Sequence, residues 1–348
     1  MKQEMKVAVM TGLKEIELTT RKVPKPKAHE VLVKLEFIGV CGSDLHYYET
    51  GAIGPFVVEP PFVLGHECAG TVVEVGAAVT NLMVGDRVAL EPGTTCGVCE
   101  LCRSGRYNLC PDVVFFATPP IDGVFQEYVA HHGDYCFKLP DHVSTMEGAL
   151  IEPLAVGFHG AFQGDAKIGQ TVVIFGAGCI GLTSMLACKA MGISHIIMVD
   201  IIDKRLEKAL ELGASHVING SNTDPVAKIK ELTAGAGADL LLETAGTEIT
   251  ANQAIHGAKK GATIVLIGYS ASGKMNLEVS HALDKEITFK TIFRYRHIYP
   301  IAIEAAASGN IDLKGMVTNV FDLDAIVDAM KQCAENRAEI VKAVVKVG

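Results

Sequence analysis

QTVVIFGAGCIGLTSMLACKAMG, residues 170–192, reads as a strand, a glycine-rich turn and a helix in immediate succession. In GAGCIG, Gly176 allows the tight turn, Gly178 lets the backbone approach a pyrophosphate, and Gly181 permits close packing of the helix. The helix start, with Cys179 and Ile180, presents free N–H groups to an anion. A lone GxGxxG is weak evidence, but here the next strand, HIIMVD, ends in Asp200, where a carboxylate would accept hydrogen bonds from an adenosine ribose. The same carboxylate would repel the 2′-phosphate of NADP, so the expected dinucleotide is NAD. Lys204 and Arg205 qualify that choice. Arg205 is kept among the expected cofactor residues because a basic side chain just past the strand can meet a phosphate, although both could equally lie on the solvated face of the following helix.

Outward from this stretch, the pattern from about residue 168 alternates short apolar strands with helices: KRLEKALELGA, HVING, KIKEL, ADLLLETAG and ATIVLIG follow in turn. Such alternation implies a parallel sheet covered on both faces, a doubly wound α/β layer. The first 150 residues read differently, as β segments such as EVLVKLEFIGV, CAGTVVEVG and GDRVALEP punctuated by Pro and Gly. The change falls at STMEGALIEPLAVGFHGAF, where Ser144 stands three residues before Glu147 in a capping-box start, so a boundary belongs near Glu152. The terminal KAVVKV has strand character and is expected to return to the first sheet. At 348 residues, 49% hydrophobic and 20% charged, the chain has room for two domains with ordinary cores. A formal charge of −9 without basic blocks argues against nucleic acid and anionic membrane as partners. No apolar run approaches a membrane span and the first residues alternate like a strand rather than an export signal, so a cytoplasmic protein acting on a small molecule is expected.

Cys96, Cys99, Cys102 and Cys110 lie in CGVCELCRSGRYNLC, spaced for one loop to wrap four thiolates around a tetrahedral Zn²⁺. A site filled by four sulfurs leaves no position for substrate, so that zinc would be structural; a disulfide knot is the alternative, disfavoured in a reducing compartment. Cys41 in VCGSDLH and His66 with Glu67 in LGHECAG are ligand-type residues on turn-like segments that end strands, consistent with a second, catalytic zinc. Singly, each has a plainer reading: a buried thiol, a core imidazole, a carboxylate paired with Arg87. Glu152 is a carboxylate in an apolar stretch, where burial without a partner is costly.

CGSDLHYYETG, FVLGHECAGTVVEVG, GDRVALEPG, GRYNLCP, FFATPPIDG, ALIEPLAVGFH and IFRYRHIYP together resemble, over essentially the whole length, the zinc-dependent medium-chain dehydrogenases, most closely their polyol branch of sorbitol and xylitol dehydrogenases. The resemblance implies a GroES-like, mostly β catalytic domain over residues 1–152 and 288–348 and a Rossmann NAD-binding domain over 153–287, usually in a homotetramer. It implies catalytic zinc on Cys41, His66 and Glu67 with water as the fourth ligand, and Glu152 touching that water or the metal, where simple alcohol dehydrogenases place a cysteine. It further implies a proton path through Ser43 and His46, although both could be turn residues, and a polyol or ketose pocket lined by Tyr47, Phe115, Arg294 and Tyr295. For Phe115 and Tyr295 core packing, and for Arg294 a subunit contact, would serve equally well. The rival activities are secondary-alcohol, butanediol or threonine oxidation on the same machinery, and the rival class is a non-catalytic zinc and dinucleotide binder.

Overall fold

The computed structural model describes residues 2–270 and 273–348, which divide into two compact units: residues up to Glu152 together with Val317–Gly348, and Pro153–Met316. The second unit is built on a six-stranded sheet, all parallel. Counting its strands in chain order (Thr171–Phe175, His195–Asp200, His216–Asn219, Ala238–Glu243, Ala258–Leu266, Thr288–Thr291), the spatial order is 3-2-1-4-5-6. Val172, Val173, Ile174 and Phe175 are all buried because helices cover both faces, which is why the central strands read as continuous apolar runs instead of alternating ones. Strand order reverses between the first and fourth strands, and the Gly176–Gly178 turn leaves the sheet at that point, where open α/β sheets bind ligands.

Thr288–Thr291 corrects the expected domain boundary. The resemblance puts residues 288–316 in the first domain, but Thr288–Thr291 pairs in parallel with Thr263–Leu266 as the outer strand of the second unit, and helix Tyr299–Ala307 packs against helix Cys179–Ala190. The chain re-enters the first unit only at Val317. TFKT is mostly exposed, as an edge strand can be, so it carries none of the apolar run that marks its neighbours.

The first unit holds a seven-stranded mixed sheet with Glu30–Val40 at its centre. That strand pairs with Glu67–Val75 on one side and with Ala343–Lys346 on the other, both antiparallel, while Tyr128–His132 pairs with its first half. Val31, Val33, Leu35, Ile38, Val72, Val88 and Leu90 fill the core. At the far end of the central strand, Gly39 lies opposite Glu67 and Val40 opposite Ala343, so three distant segments converge beside Cys41. Helix Thr145–Gln163 then leads out of this unit. Its start is the expected capping box: Ser144 N–H donates to Glu147 Oε2 at 2.8 Å and Glu147 N–H to Ser144 Oγ at 3.3 Å. The helix runs on through Pro153.

Candidate metal and dinucleotide sites

Cys41 caps helix Gly42–Thr50, and His66 and Glu67 open strand Glu67–Val75, so chain reversals on either side bring the three together. One ligand atom from each lies within 4.8 Å of the others. Asp44 builds this arrangement. Fully buried, it accepts the Cys41 N–H at 2.9 Å through one oxygen and the Gly65 N–H at 2.9 Å through the other, and stands 3.7 Å from His66 Nδ1. Asp44 escaped the sequence reading, although its place three residues after Cys41 is the capping-box spacing that could have revealed it. Glu67 does not pair with Arg87, which instead donates to the Val143 and Pro140 carbonyls. Its partner is Lys342, equally buried, whose ammonium also reaches the Val40 carbonyl at 3.0 Å. A Cβ on Gly39 would come within 1.9 Å of Glu67 Oε2, so only glycine leaves room for that carboxylate.

The electrostatics fit a cation. Burial works against a charged His66, yet Cys41 and Asp44 outweigh it and hold the imidazole well above its ordinary pKa. Three acidic groups in a buried space balanced by Lys342 leave the imidazole drawing a proton that a divalent ion would replace. A thiolate, an imidazole and a carboxylate form the donor set of an open zinc site.

Glu152 is buried but lies outside that group of three. Its charge is felt by Glu91, which burial pushes up to about 7 while the Tyr107 hydroxyl, donating at 2.8 Å, pulls it down. Ser43 and His46 sit on helix Gly42–Thr50, one turn apart and partly exposed. Phe115 turns its ring toward His66 at 6.0 Å. Tyr47 is packed into the β core of the first unit. Arg294 and Tyr295 belong to the second unit, where Tyr295 is buried against Tyr299 at 5.7 Å and Arg294, at φ 54°, stacks 4.8 Å above Phe293.

Cys96, Cys99, Cys102 and Cys110 also gather within 4.8 Å, with Sγ–Sγ separations of 3.5 to 3.9 Å that exclude disulfides. Cys99 and Cys102 donate their N–H groups to the preceding sulfurs, Cys96 and Cys99, each at 3.4 Å. Backbone N–H groups of Val98 and Cys99 hold the Cys96 thiol down at about 7, whereas burial pushes Cys110 up to about 12. A thiol held as high as that of Cys110 becomes a thiolate only beside a cation, which suits a closed zinc site.

In the second unit, Gly176 adopts φ 94°, and a Cβ on Gly181 would strike the Gly176 carbonyl oxygen at 1.8 Å. Each glycine is therefore required by geometry. A Cβ on Gly178 would meet only Arg205, at 4.0 Å, which leaves open space over the start of the helix. Cys179 and Ile180 open that helix partly exposed, not as core residues. Asp200 accepts the Ala177 N–H at 2.6 Å and the Ile201 and Ile202 N–H groups at 2.7 and 3.0 Å, tying the turn to the end of the second strand. Arg205 lies 3.9 Å away.

Residues 27–141 match the family model described as Alcohol dehydrogenase GroES-like domain, and residues 179–308 match Zinc-binding dehydrogenase. Sorbitol dehydrogenase of Bacillus subtilis (strain 168) is 45% identical over 343 residues, covering 99% of this chain and 97% of that protein. Sorbitol dehydrogenase of Bos taurus is 42% identical over 325 residues, with 93% and 91% covered. Among solved structures, ECK1772 of Escherichia coli, an oxidoreductase/dehydrogenase of unknown specificity involved in membrane biogenesis, superposes with a TM-score of 0.95 at 41% identity over 99% of both chains. Two matched domains, a Gly176–Gly181 turn at the reversal of a parallel sheet, and relatives alike from end to end place the chain in the polyol branch of the zinc-dependent medium-chain dehydrogenase family.

Proposed function

We propose that this protein is an NAD-dependent dehydrogenase that interconverts a secondary hydroxyl of a sugar alcohol and the corresponding ketose. The observation that carries the reading is the convergence of Cys41, His66 and Glu67 within 4.8 Å, a thiol, an imidazole and a carboxylate drawn from two distant segments. Zinc held there would supply a Lewis acid that makes a secondary hydroxyl acidic near neutral pH, and NAD on the Gly176–Gly181 turn would supply a hydride acceptor. Asp44 fixes the orientation of the Cys41 and His66 segments, and Lys342 balances the charge of Glu67. Ser43 takes the hydroxyl proton and His46, on the same helix face, passes it to solvent. Glu152, buried but outside that group of three, would orient a water or hydroxyl once a metal is bound. Tyr47, Phe115, Arg294 and Tyr295 are the proposed substrate-binding residues, with Arg294 offering a planar fork to adjacent hydroxyls. Asp200 selects NAD over NADP, and Arg205 flanks the adenosine. The four cysteines would hold a second, structural zinc. The working form is a cytoplasmic homotetramer; among the described residues no helix is long and apolar enough to cross a membrane.

Initial rates with NAD across sorbitol, xylitol, ribitol, butanediol and threonine test the proposal. Polyols should give the highest kcat/KM, and stripping zinc should abolish turnover. Rates that favour butanediol or threonine, or that survive complete metal removal, would overturn it.

A further inference from the structure

The second unit carries a cluster of metal-ligating side chains that the dehydrogenase reading does not use. His256 lies in the last turn of helix Glu248–Gly257, Glu278 caps the short helix Val279–Leu283, and His281 follows within that helix. His256 Nε2 stands 2.8 Å from Glu278 Oε2, and His281 Nε2 stands 3.6 Å from the same oxygen. The two imidazoles are 4.6 Å apart between centroids, inclined by 58°. One ligand atom from each of the three lies within 4.8 Å of the others.

The scaffold beneath is fixed by bonds that leave the ligand atoms out. Asn252 accepts the Glu278 N–H at 2.9 Å and donates to the Asn276 carbonyl at 2.9 Å, while Glu248 holds the Asn276 backbone and side-chain N–H groups at 3.1 and 3.0 Å. Glu278 and His281 are thereby set against His256 before any ion arrives, the preorganisation that metal sites need. A surface ion pair accounts for one imidazole on a carboxylate. It does not account for the second, whose Nε2 stands 3.6 Å from the same oxygen, beyond hydrogen-bond reach, in a place where two ring nitrogens and a carboxylate can share one cation.

We propose that His256, Glu278 and His281 form a third metal site, for a divalent first-row transition ion of the zinc, nickel or copper class. Nitrogen and carboxylate donors without sulfur suit these ions, and side-chain exposures of 34%, 49% and 56% leave an entry path and free positions for water. The helix that bears His256 starts beyond the carboxyl end of strand Ala238–Glu243 and runs back for about 13 Å at 1.5 Å per residue. The site therefore lies toward the amino edge of the sheet, away from the Gly176–Gly181 turn, and an ion there clamps the helix end to the segment before strand Thr288–Thr291.

The test loads the full-length protein with zinc at its cysteine-containing sites and titrates Ni²⁺ by calorimetry. The parent should take up about one equivalent more than His256→Ala/His281→Ala, and Ni²⁺ should raise the thermal midpoint of the parent alone. Co²⁺ in the extra site should give weak d–d bands without thiolate charge transfer. His281→Gln, which keeps the Glu278–His256 contact, should lose the same equivalent with an unchanged circular dichroism spectrum and unchanged kcat. Equal uptake by parent and variants, or thiolate bands from the extra ion, would overturn the proposal.

Discussion

Asp44 donates no ligand, yet the Cys41 and His66 segments both hang on its carboxylate. Replacing it by Asn keeps the shape but turns one of the two acceptors into a donor facing a backbone N–H, that of Cys41 or of Gly65. Asp44→Asn should weaken zinc retention about 10- to 100-fold, as loss of a ligand's supporting partner commonly does, measured by elemental analysis after dialysis against graded chelator. Glu91 makes a second case. Its folded-state pKa, pushed up to about 7 from 4.5, means that the fold binds the proton more tightly than the unfolded chain, so its contribution is fully present below about 4.5 and is lost as pH rises through 7. Glu91→Gln should therefore gain on the parent between pH 5 and pH 8, by at most about 3 kcal/mol, read from denaturant midpoints at the two pH values. Residue types at ligand spacing made Cys41, His66, Glu67 and the four cysteines legible in the sequence. Asp44 and Lys342 were not, because a buried carboxylate or ammonium is told from a surface one only by what packs around it.

At the scale of elements, the glycine-rich turn and its two flanking strands were readable because each glycine answers a specific steric demand, the φ of Gly176 and the contact of Gly181 with the Gly176 carbonyl. Asp200 is more entangled than the motif suggests: it already holds three backbone N–H groups of the turn and of the following segment. Asp200→Ala should thus do two things at once. It should erode the preference for NAD over NADP, seen in the ratio of kcat/KM for the two dinucleotides, and lower the thermal midpoint even without cofactor, because Ala177 loses its acceptor. An unchanged ratio would remove Asp200 from cofactor choice. The outer strand Thr288–Thr291 escaped detection for the opposite reason. Paired on one side and mostly exposed, TFKT has neither alternation nor an apolar run, and only the neighbouring strand identifies it.

For the whole molecule, the two units differ in how the chain builds them. Pro153–Met316 is continuous and encloses its own core of Val173, Phe175, Ile197, Leu241 and Ile264. Expressed alone, this segment should fold cooperatively and bind NADH, seen as a saturable change in nicotinamide emission on titration, while showing no dehydrogenase activity; a molten fragment without dinucleotide affinity would contradict that autonomy. The other unit is discontinuous, and its central strand needs Ala343–Lys346 as a neighbour. Glu67 depends on the same late segment, since the ammonium beside it belongs to Lys342, 275 positions downstream. During translation the ribosome delivers the acidic half of this pair long before the basic half, with an entire nucleotide-binding layer emerging in between. The nascent amino-terminal sheet must wait with a gap at its middle strand and a carboxylate still facing water, so completion of the surroundings of Glu67 is among the last events of biosynthesis.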